Sequence, residues 1–221
     1  MAGSSVTRRR KTVAALAAAA ALAALGGVGA SAATPEGADR RPPAKVASVS
    51  GSARIFFTYS PDDDIRFSFD AQAVPFSKPL PDAPQGLPTD ARGIVRISHW
   101  VAALNKTVTA EADVDCLVTG ARTATFTAIV NRADPEVAEW VGQRRGFSVY
   151  DGDDRDRSGR DRDRFGFSWG VANTDTDEKG EPVMGRVGTC MAPAPFAPVL
   201  EGGFTVHHTE LPPQPTAAAR G

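Results

Sequence analysis

The chain has 221 residues, 42% of them hydrophobic and 23% charged, and its formal net charge at pH 7 is −1. This length suits one domain of ordinary size preceded by a short targeting segment. The near balance of acidic and basic residues argues against binding to nucleic acid or anionic lipid, which both require an excess of positive charge.

Residues 1–32 have the organisation of a signal peptide. A basic cluster at 8–11 precedes an Ala/Leu run at 13–25, and Ala30-Ser31-Ala32 then offers the small-x-small pattern of a cleavage site. The run is shorter than the roughly 20 strongly apolar residues that a transmembrane helix needs. We therefore expect a secreted, extracellular protein, cleaved near Ala32, with no stable membrane insertion after processing. The basic cluster leaves both the general and the twin-arginine export routes open.

The remainder of the chain is expected to form one domain. Loss of the leader removes four basic residues and no acidic one, so the formal net charge becomes −5. Residues 33–50 and 211–221 lack periodicity and predict a flexible linker and a disordered tail. The domain between them covers 51–210. Its segment 73–90 carries five prolines, which exclude a helix or a central strand and predict a long surface loop.

Apolar and polar residues alternate along eight segments of the domain, as in β-strands with one buried face. The predicted strands cover residues 54–59, 65–70, 91–101, 106–118, 122–131, 146–150, 165–171 and 203–207. The one helical candidate covers 134–141, with Asp134 as N-cap and Pro135 in the first turn. This pattern predicts an all-β fold of about eight antiparallel strands in a small closed or nearly closed barrel with one short helix. A two-sheet sandwich is the alternative.

Two strand registers follow from the side-chain pattern. In the first hairpin, strands 91–101 and 106–118 pair so that opposite charges meet on one face and apolar residues on the other. The expected pairs are Arg96 with Glu111, Arg92 with Asp115, Val95 with Ala112 and Ile97 with Ala110. In the second hairpin, a three-residue loop at 119–121 with a bulge sets Val114 opposite Phe126 and Cys116 opposite Ala124. A two-residue loop would instead place acidic side chains opposite Phe126.

Cys116 and Cys190 are the two cysteines of the chain. Outside the cytoplasm an isolated even pair usually forms a disulfide, and we predict one here. Closing a loop of this length stabilises the fold by about 4 kcal/mol if the effect arises from the entropy of the unfolded chain.

Four aromatic residues alternate with Gly and Ser at the predicted sixth and seventh strands: Phe147, Phe165, Phe167 and Trp169. They are expected to share one face of a hairpin. If the barrel is open they wall a ligand pocket, and if it is closed they fill it.

Two further groups are candidates for chemistry. His99 and Asp113 are the candidate acid and base of an enzyme, although the first predicted register places them on opposite faces. In the Asp/Arg-rich loop 151–164, the residues Asp151, Asp153, Asp154 and Asp156 are calcium candidates. Arg162 stands where an EF-hand has Glu, and interleaved arginines repel a cation, so we expect a mixed-charge loop with no metal and no cofactor.

Several segments of the domain resemble a family of secreted actinobacterial proteins of unknown function that carries the label "repetin" and is unrelated to the vertebrate skin protein. The similar segments are DIRFSF (64–69), ARGIVRISH (91–99), VDCL (114–117), the stretch 142–151 with GFSVYD, and FGFSW (165–169). The resemblance implies export and a β-rich fold, and it implies no activity.

The sequence contains no nucleophile elbow, phosphate loop or zinc-protease helix. We therefore expect a non-catalytic exported β-barrel that binds a small apolar or cell-envelope ligand in or at the mouth of the barrel. One alternative is a barrel-type isomerase or hydrolase. The other is a structural or interaction protein of the envelope, recognisable by an exposed apolar patch or an unprotected edge strand. The oligomeric state is left open.

Overall fold

The computed structural model describes residues 45–152 and 162–215. Eight of its strands close into an antiparallel barrel in the order β1-β10-β7-β6-β5-β4-β3-β2, which confirms the predicted barrel over the sandwich. These strands are β1 (Ser48–Ile55), β2 (Asp64–Ala73), β3 (Ala91–Val101), β4 (Lys106–Thr119), β5 (Thr123–Ala133), β6 (Arg144–Tyr150), β7 (Arg164–Phe167) and β10 (Ala197–His207). A separate hairpin contains β8 (Thr174–Thr176) and β9 (Pro182–Met184). Short 3₁₀ turns cover Ala102–Leu104, Pro135–Trp140 and Gly170–Ala172.

The β3–β4 hairpin has the predicted register along most of its length. Its pairs include Arg96 with Glu111, Val95 with Ala112 and Ile97 with Ala110. The predicted pair of Arg92 with Asp115 is wrong. Arg92 donates to Gln72 on β2 at 2.7 Å, and Asp115 accepts from Arg144 Nε at 2.8 Å.

The β4–β5 hairpin differs from the predicted register because it closes through a tighter turn. Thr119 pairs with Ala124 and Leu117 with Phe126, and the Gly120 N–H donates to the Thr123 carbonyl at 2.7 Å. A bulge between Val114 and Cys116 adds one residue to β4 and reverses its alternation. Leu117 therefore enters the core, and the carboxylates avoid Phe126 without a three-residue loop.

The first strand begins and ends earlier than predicted. β1 covers Ser48–Ile55, so its first residues lie in the segment expected to be linker, and the predicted strand at 54–59 continues into a turn. Its inward positions include Gly51, where a Cβ would lie 2.9 Å from the ring of Phe204. The glycine leaves space for that ring, which lies 5.2 Å from the ring of Phe69. Because small residues give little hydrophobic alternation, the pattern was weak in the sequence.

The predicted short helix is a 3₁₀ turn over Pro135–Trp140, broken at Val137 by a non-helical backbone. Asp134 occupies the N-cap position but makes no capping bond. Its carboxylate instead accepts from the backbone N–H of Thr109 at 2.7 Å. The side chain that was expected to start a helix therefore ties the end of β5 to β4.

The Pro-rich segment between β2 and β3 is held against the barrel by two charged side chains. Asp90 is buried, and its carboxylate accepts backbone N–H groups of Ser77, Lys78 and Leu87 at 2.8 to 3.1 Å. Lys78 Nζ donates to the carbonyl oxygens of Ala91 at 2.5 Å and Val114 at 3.1 Å. These bonds satisfy the backbone groups that the prolines and the β4 bulge leave unpaired.

The barrel interior is filled by aliphatic and aromatic side chains. Seven phenylalanines form its centre, at positions 67, 69, 126, 147, 165, 167 and 204, and all of them are buried. Neighbouring rings lie between 4.3 and 6.5 Å apart, measured between centroids. Full burial of one such ring contributes about 1.5 to 3 kcal/mol, so this cluster is the main source of hydrophobic stabilisation.

Candidate functional site

The four aromatic residues predicted to wall a pocket belong to the core or pack against it. Phe147, Phe165 and Phe167 are fully buried, and Trp169 packs on them at the end of β7. Their rings contact one another inside the barrel, with centroids 4.6 to 6.5 Å apart. A ligand site formed by the described residues must therefore be sought at the rim or on the outer wall.

The structure separates the two candidate catalytic residues. Asp113 lies on the outer face of β4, exposed and opposite Ile94. His99 Nε2 lies 2.7 Å from Oδ2 of Asp63 in the β1–β2 connection. The structure therefore does not bring His99 and Asp113 together as acid and base, because the histidine is paired with a different carboxylate.

Asp63 is the centre of a small hydrogen-bonded group. Its Oδ1 accepts from the Ala102 N–H at 2.9 Å, and its side chain also bonds Ser60. Burial alone would raise the pKa of Asp63, but the bonds from Ala102 and His99 outweigh it and lower that pKa below its ordinary value. A nucleophile triad places the imidazole between hydroxyl and carboxylate. Here the carboxylate of Asp63 lies between Ser60 and His99, so the group does not have the order of a triad. Through the bond from Ala102, it anchors the β3–β4 turn.

Among the calcium candidates, only Asp151 lies in the described residues, and Asp153, Asp154 and Asp156 fall outside them. The Asp151 carboxylate accepts the backbone N–H of Val206 on β10 at 2.9 Å. Residues 45–152 and 162–215 contain no group of three or more His, Cys, Asp or Glu side chains placed to hold a metal ion. Asp151 thus has a structural role in joining the β6–β7 connection to β10.

Cys116 and Cys190 form a disulfide with their Cα atoms 5.4 Å apart. The β4 bulge turns Cys116 outward, so the bond ties residues 190–196, here called the strap, to the outside of the barrel. The strap crosses β5 and β6, where Ser148 Oγ donates to the Pro193 carbonyl at 2.6 Å. A Cβ at Gly146 would lie 2.0 Å from the Met191 carbonyl oxygen, so this glycine lets the strap lie flat on β6.

An apolar groove of about 370 Å³ lies at the rim of the barrel, beside the far end of the strap. Three separate segments form it: residues 56–59 after β1, residues 171 and 172 after β7, and residues 193–198 at the strap and the start of β10. The ring of Phe57 lies 5.1 Å from core Phe167 and 6.2 Å from Phe196. Tyr59, 71% exposed, lies 5.5 Å from Phe57. We name this the rim groove.

The rim groove was not predicted from the sequence. The segment Phe56-Phe57-Thr58-Tyr59 did contain a signal. Successive side chains of a strand point to opposite faces, so two adjacent aromatic residues cannot both point into the barrel. The opposing wall, Pro193 to Pro198, lies more than 130 residues away along the chain. Only the disulfide and the closure of the barrel bring the two walls together.

One cation lies buried at the end of β6. Arg145 is 2% exposed, and its guanidinium lies 4.8 Å from the ring of Trp140 and 6.0 Å from that of Trp169. Its Nε has no hydrogen-bond partner within residues 45–152 and 162–215. Burial lowers the pKa of Arg145, and the nearby charge of Glu139 opposes that change. Cation–π contacts with the two indole rings therefore stabilise this buried charge, where most buried arginines contact a carboxylate.

Comparisons with known proteins found no relative. No family model matches the chain, and no curated protein and no solved structure is similar to it. Within the described parts of the chain, no helix has the length and apolar character needed to cross a membrane.

Proposed function

We propose that the protein is a non-catalytic binding module whose rim groove holds a small apolar ligand. The observation that supports this proposal is the cluster of apolar side chains left exposed around one concavity, among them Phe56, Tyr59 and Val171. Apolar surface gathered in one concave place favours a ligand, whereas singly scattered apolar residues need no explanation.

The size and stiffness of the groove favour a small ligand. Its volume of about 370 Å³ is near the lower end of the range of known small-molecule sites. Phe57 is fixed on one wall by the core, and the strap on the other wall is fixed by the disulfide and Ser148. Walls held in place before binding reduce the conformational entropy that a ligand must overcome.

The two alternative functions have less support. A hydrolase or isomerase built on His99 and Asp113 lacks the required geometry, since His99 is paired with Asp63. A purely structural protein would use an exposed apolar patch or an unprotected edge strand. The eight barrel strands described here close on one another, and the exposed side chains of Phe56, Tyr59 and Val171 line a concave groove, which favours a ligand over a flat partner surface.

We also infer that the protein is exported and processed near Ala32, as the leader pattern suggests. The Cys116–Cys190 disulfide is consistent with an oxidising compartment. The mass of the protein recovered from the culture medium tests this inference. A chain beginning at Ala33 or Thr34 supports export, and a retained leader contradicts it.

Titration with N-phenyl-1-naphthylamine, an uncharged probe whose fluorescence rises in apolar sites, tests the binding function. We expect saturable binding to the wild-type protein and binding at least about fivefold weaker in Tyr59→Ser. Leu104→Ser is the matched control, because Leu104 is also 71% exposed but lies on the β3–β4 turn outside the groove. Equal affinity in the two variants, or no saturable binding by the wild type, would exclude the rim groove as the site.

A further inference from the structure

We propose a second binding site on the outer wall of β1 to β4, which takes a neutral saccharide. A groove of about 400 Å³ crosses this wall. It shares no lining residue with the rim groove, so this inference is independent of the function proposed above.

The floor of the outer groove is a band of hydroxyl side chains on four neighbouring strands. Ser52 on β1 is opposite Ser68 on β2, and Ser98 on β3 is opposite Thr109 on β4. Their short side chains leave space where the next outward positions carry longer ones, such as Arg66, Arg96 and Glu111. The groove is therefore a direct result of which residues the strand registers bring together.

The walls of the outer groove carry charged side chains of both signs. Arg96 and Arg132 both contact Oε2 of Glu111, at 2.9 and 3.3 Å. Arg66 contacts Asp64 at 2.7 Å and Glu201 at 3.3 Å. Each of these guanidinium groups already contacts a carboxylate, which weakens its attraction for an anionic ligand. The electrostatics thus favour an uncharged ligand over a polyanion.

The floor hydroxyls are available for hydrogen bonding. The side chains of Ser52, Ser68 and Ser98 have no hydrogen-bond partner among the described residues. Each hydroxyl can donate one hydrogen bond and accept two. An apolar ligand would remove water from these groups without replacing its bonds, which is unfavourable. A ligand rich in hydroxyls would pair with them and with the free edges of the guanidinium and carboxylate groups.

The spacing on this wall suits a sugar ring. Adjacent strands lie about 4.8 Å apart, so hydroxyls on paired strands can reach different hydroxyls of one pyranose. Trp100 does not line the groove itself but lies two residues beyond Ser98 on the same outer face, where it is 37% exposed. Its indole offers an apolar surface for the C–H face of a sugar, while the band of hydroxyls binds the polar edge. These features together select a saccharide from the class of uncharged polar ligands.

Two-dimensional NMR of the isotope-labelled protein tests the site, with maltohexaose, cellohexaose and mannohexaose as neutral probes. We expect at least one of them to shift the amide signals of Ser68, Ser98 and Thr109 in a saturable manner. A heparin-derived hexasaccharide is the anionic comparison. Stronger binding of heparin than of every neutral probe would overturn the proposal in favour of an anion site, and no shift on this wall with any neutral probe would overturn it outright.

A pair of serine variants then locates the contact. Ser98→Val removes one floor hydroxyl with a residue that strands favour, and we expect saccharide affinity to fall by about two- to tenfold. Ser50→Val is the control, because Ser50 is likewise a strand serine, in β1, but does not line the outer groove. Equal losses in the two variants would contradict the assignment. Binding of N-phenyl-1-naphthylamine to the same samples reports on the rim groove, so failure of one site is distinguishable from failure of the other.

Discussion

Asp163 accepts a hydrogen bond from the backbone N–H of Phe204 at 2.6 Å, and this contact continues the barrel where its strands stop pairing. β7 and β10 pair through only two residue pairs, Ala197 with Phe165 and Pro198 with Arg164. Beyond these two pairs, the Asp163 carboxylate accepts hydrogen bonds from the backbone N–H of Phe204 on β10 and, at 2.8 Å, from that of Gly152. A side chain thus replaces a missing length of strand.

Replacement of Asp163 by Asn should therefore destabilise the barrel. The amide group of Asn offers one oxygen in place of two, and its NH₂ would face a backbone N–H. We expect the free energy of unfolding to fall by about 2 kcal/mol, measured by urea denaturation. Asp113→Asn, on the exposed outer face of β4, should change it by less than about 0.5 kcal/mol. Similar values for the two variants would show that the Asp163 bonds do not close the barrel.

Loss of the disulfide should weaken both the fold and the rim groove. The bond closes a loop between residues 74 positions apart, and its removal in a Cys116→Ala/Cys190→Ala variant is expected to cost about 4 kcal/mol of stability. The strap carries one wall of the rim groove, so affinity for N-phenyl-1-naphthylamine should fall in the variant at a temperature where it is still folded. Unchanged affinity would mean that the strap is held without the disulfide, by Ser148 and by Arg164, whose Nε donates to the Pro195 carbonyl at 3.1 Å.

The Asp63 group should make stability depend on acid pH. Because the pKa of Asp63 is lowered in the folded protein, its contribution is fully present above the unfolded value of about 3.9 and is lost as pH falls through the folded value. Asp63→Asn should therefore be less stable than wild type at pH 7, and the difference should shrink below about pH 4. Urea denaturation of both proteins at about five pH values between about 2 and 7 measures this difference in the free energy of unfolding. A difference that stays constant with pH would exclude Asp63 as the titrating group.

Replacement of Arg145 by Met should leave the protein as stable or make it more stable. The guanidinium is buried without a carboxylate partner among the described residues and with an unpaired Nε, so its desolvation is only partly offset by the indoles. A flexible apolar side chain of similar length removes that cost, and we expect a gain of about 1 kcal/mol. Thermal unfolding measures the change. A loss of more than about 1 kcal/mol would show that the cation–π contacts outweigh the desolvation.

The β3–β4 hairpin shows how far local pattern determines this fold. Its strands alternate regularly between apolar and polar residues, and only one register places both Arg96 opposite Glu111 and Val95 opposite Ala112. Because a shift by one residue would reverse every side chain, the pattern identifies the register without tertiary information. Alternation of the same kind predicted the barrel, whereas the disulfide was predicted from the presence of two cysteines in an exported chain.

Long-range contacts determine the features of the fold that local alternation does not predict. The β4 bulge lies beside Cys116, whose disulfide partner is 74 residues away, and β1 has Gly51 where the ring of Phe204 packs. Both grooves combine residues from segments far apart in the chain, which alternation within one strand cannot relate. The amino-acid sequence alone therefore determined the regularly alternating strands, the barrel class and the disulfide, since these follow from local periodicity and composition. Only the tertiary structure decided that aromatic rings fill the barrel and that binding surfaces lie at its rim and outer wall, because those depend on how closed strands pack.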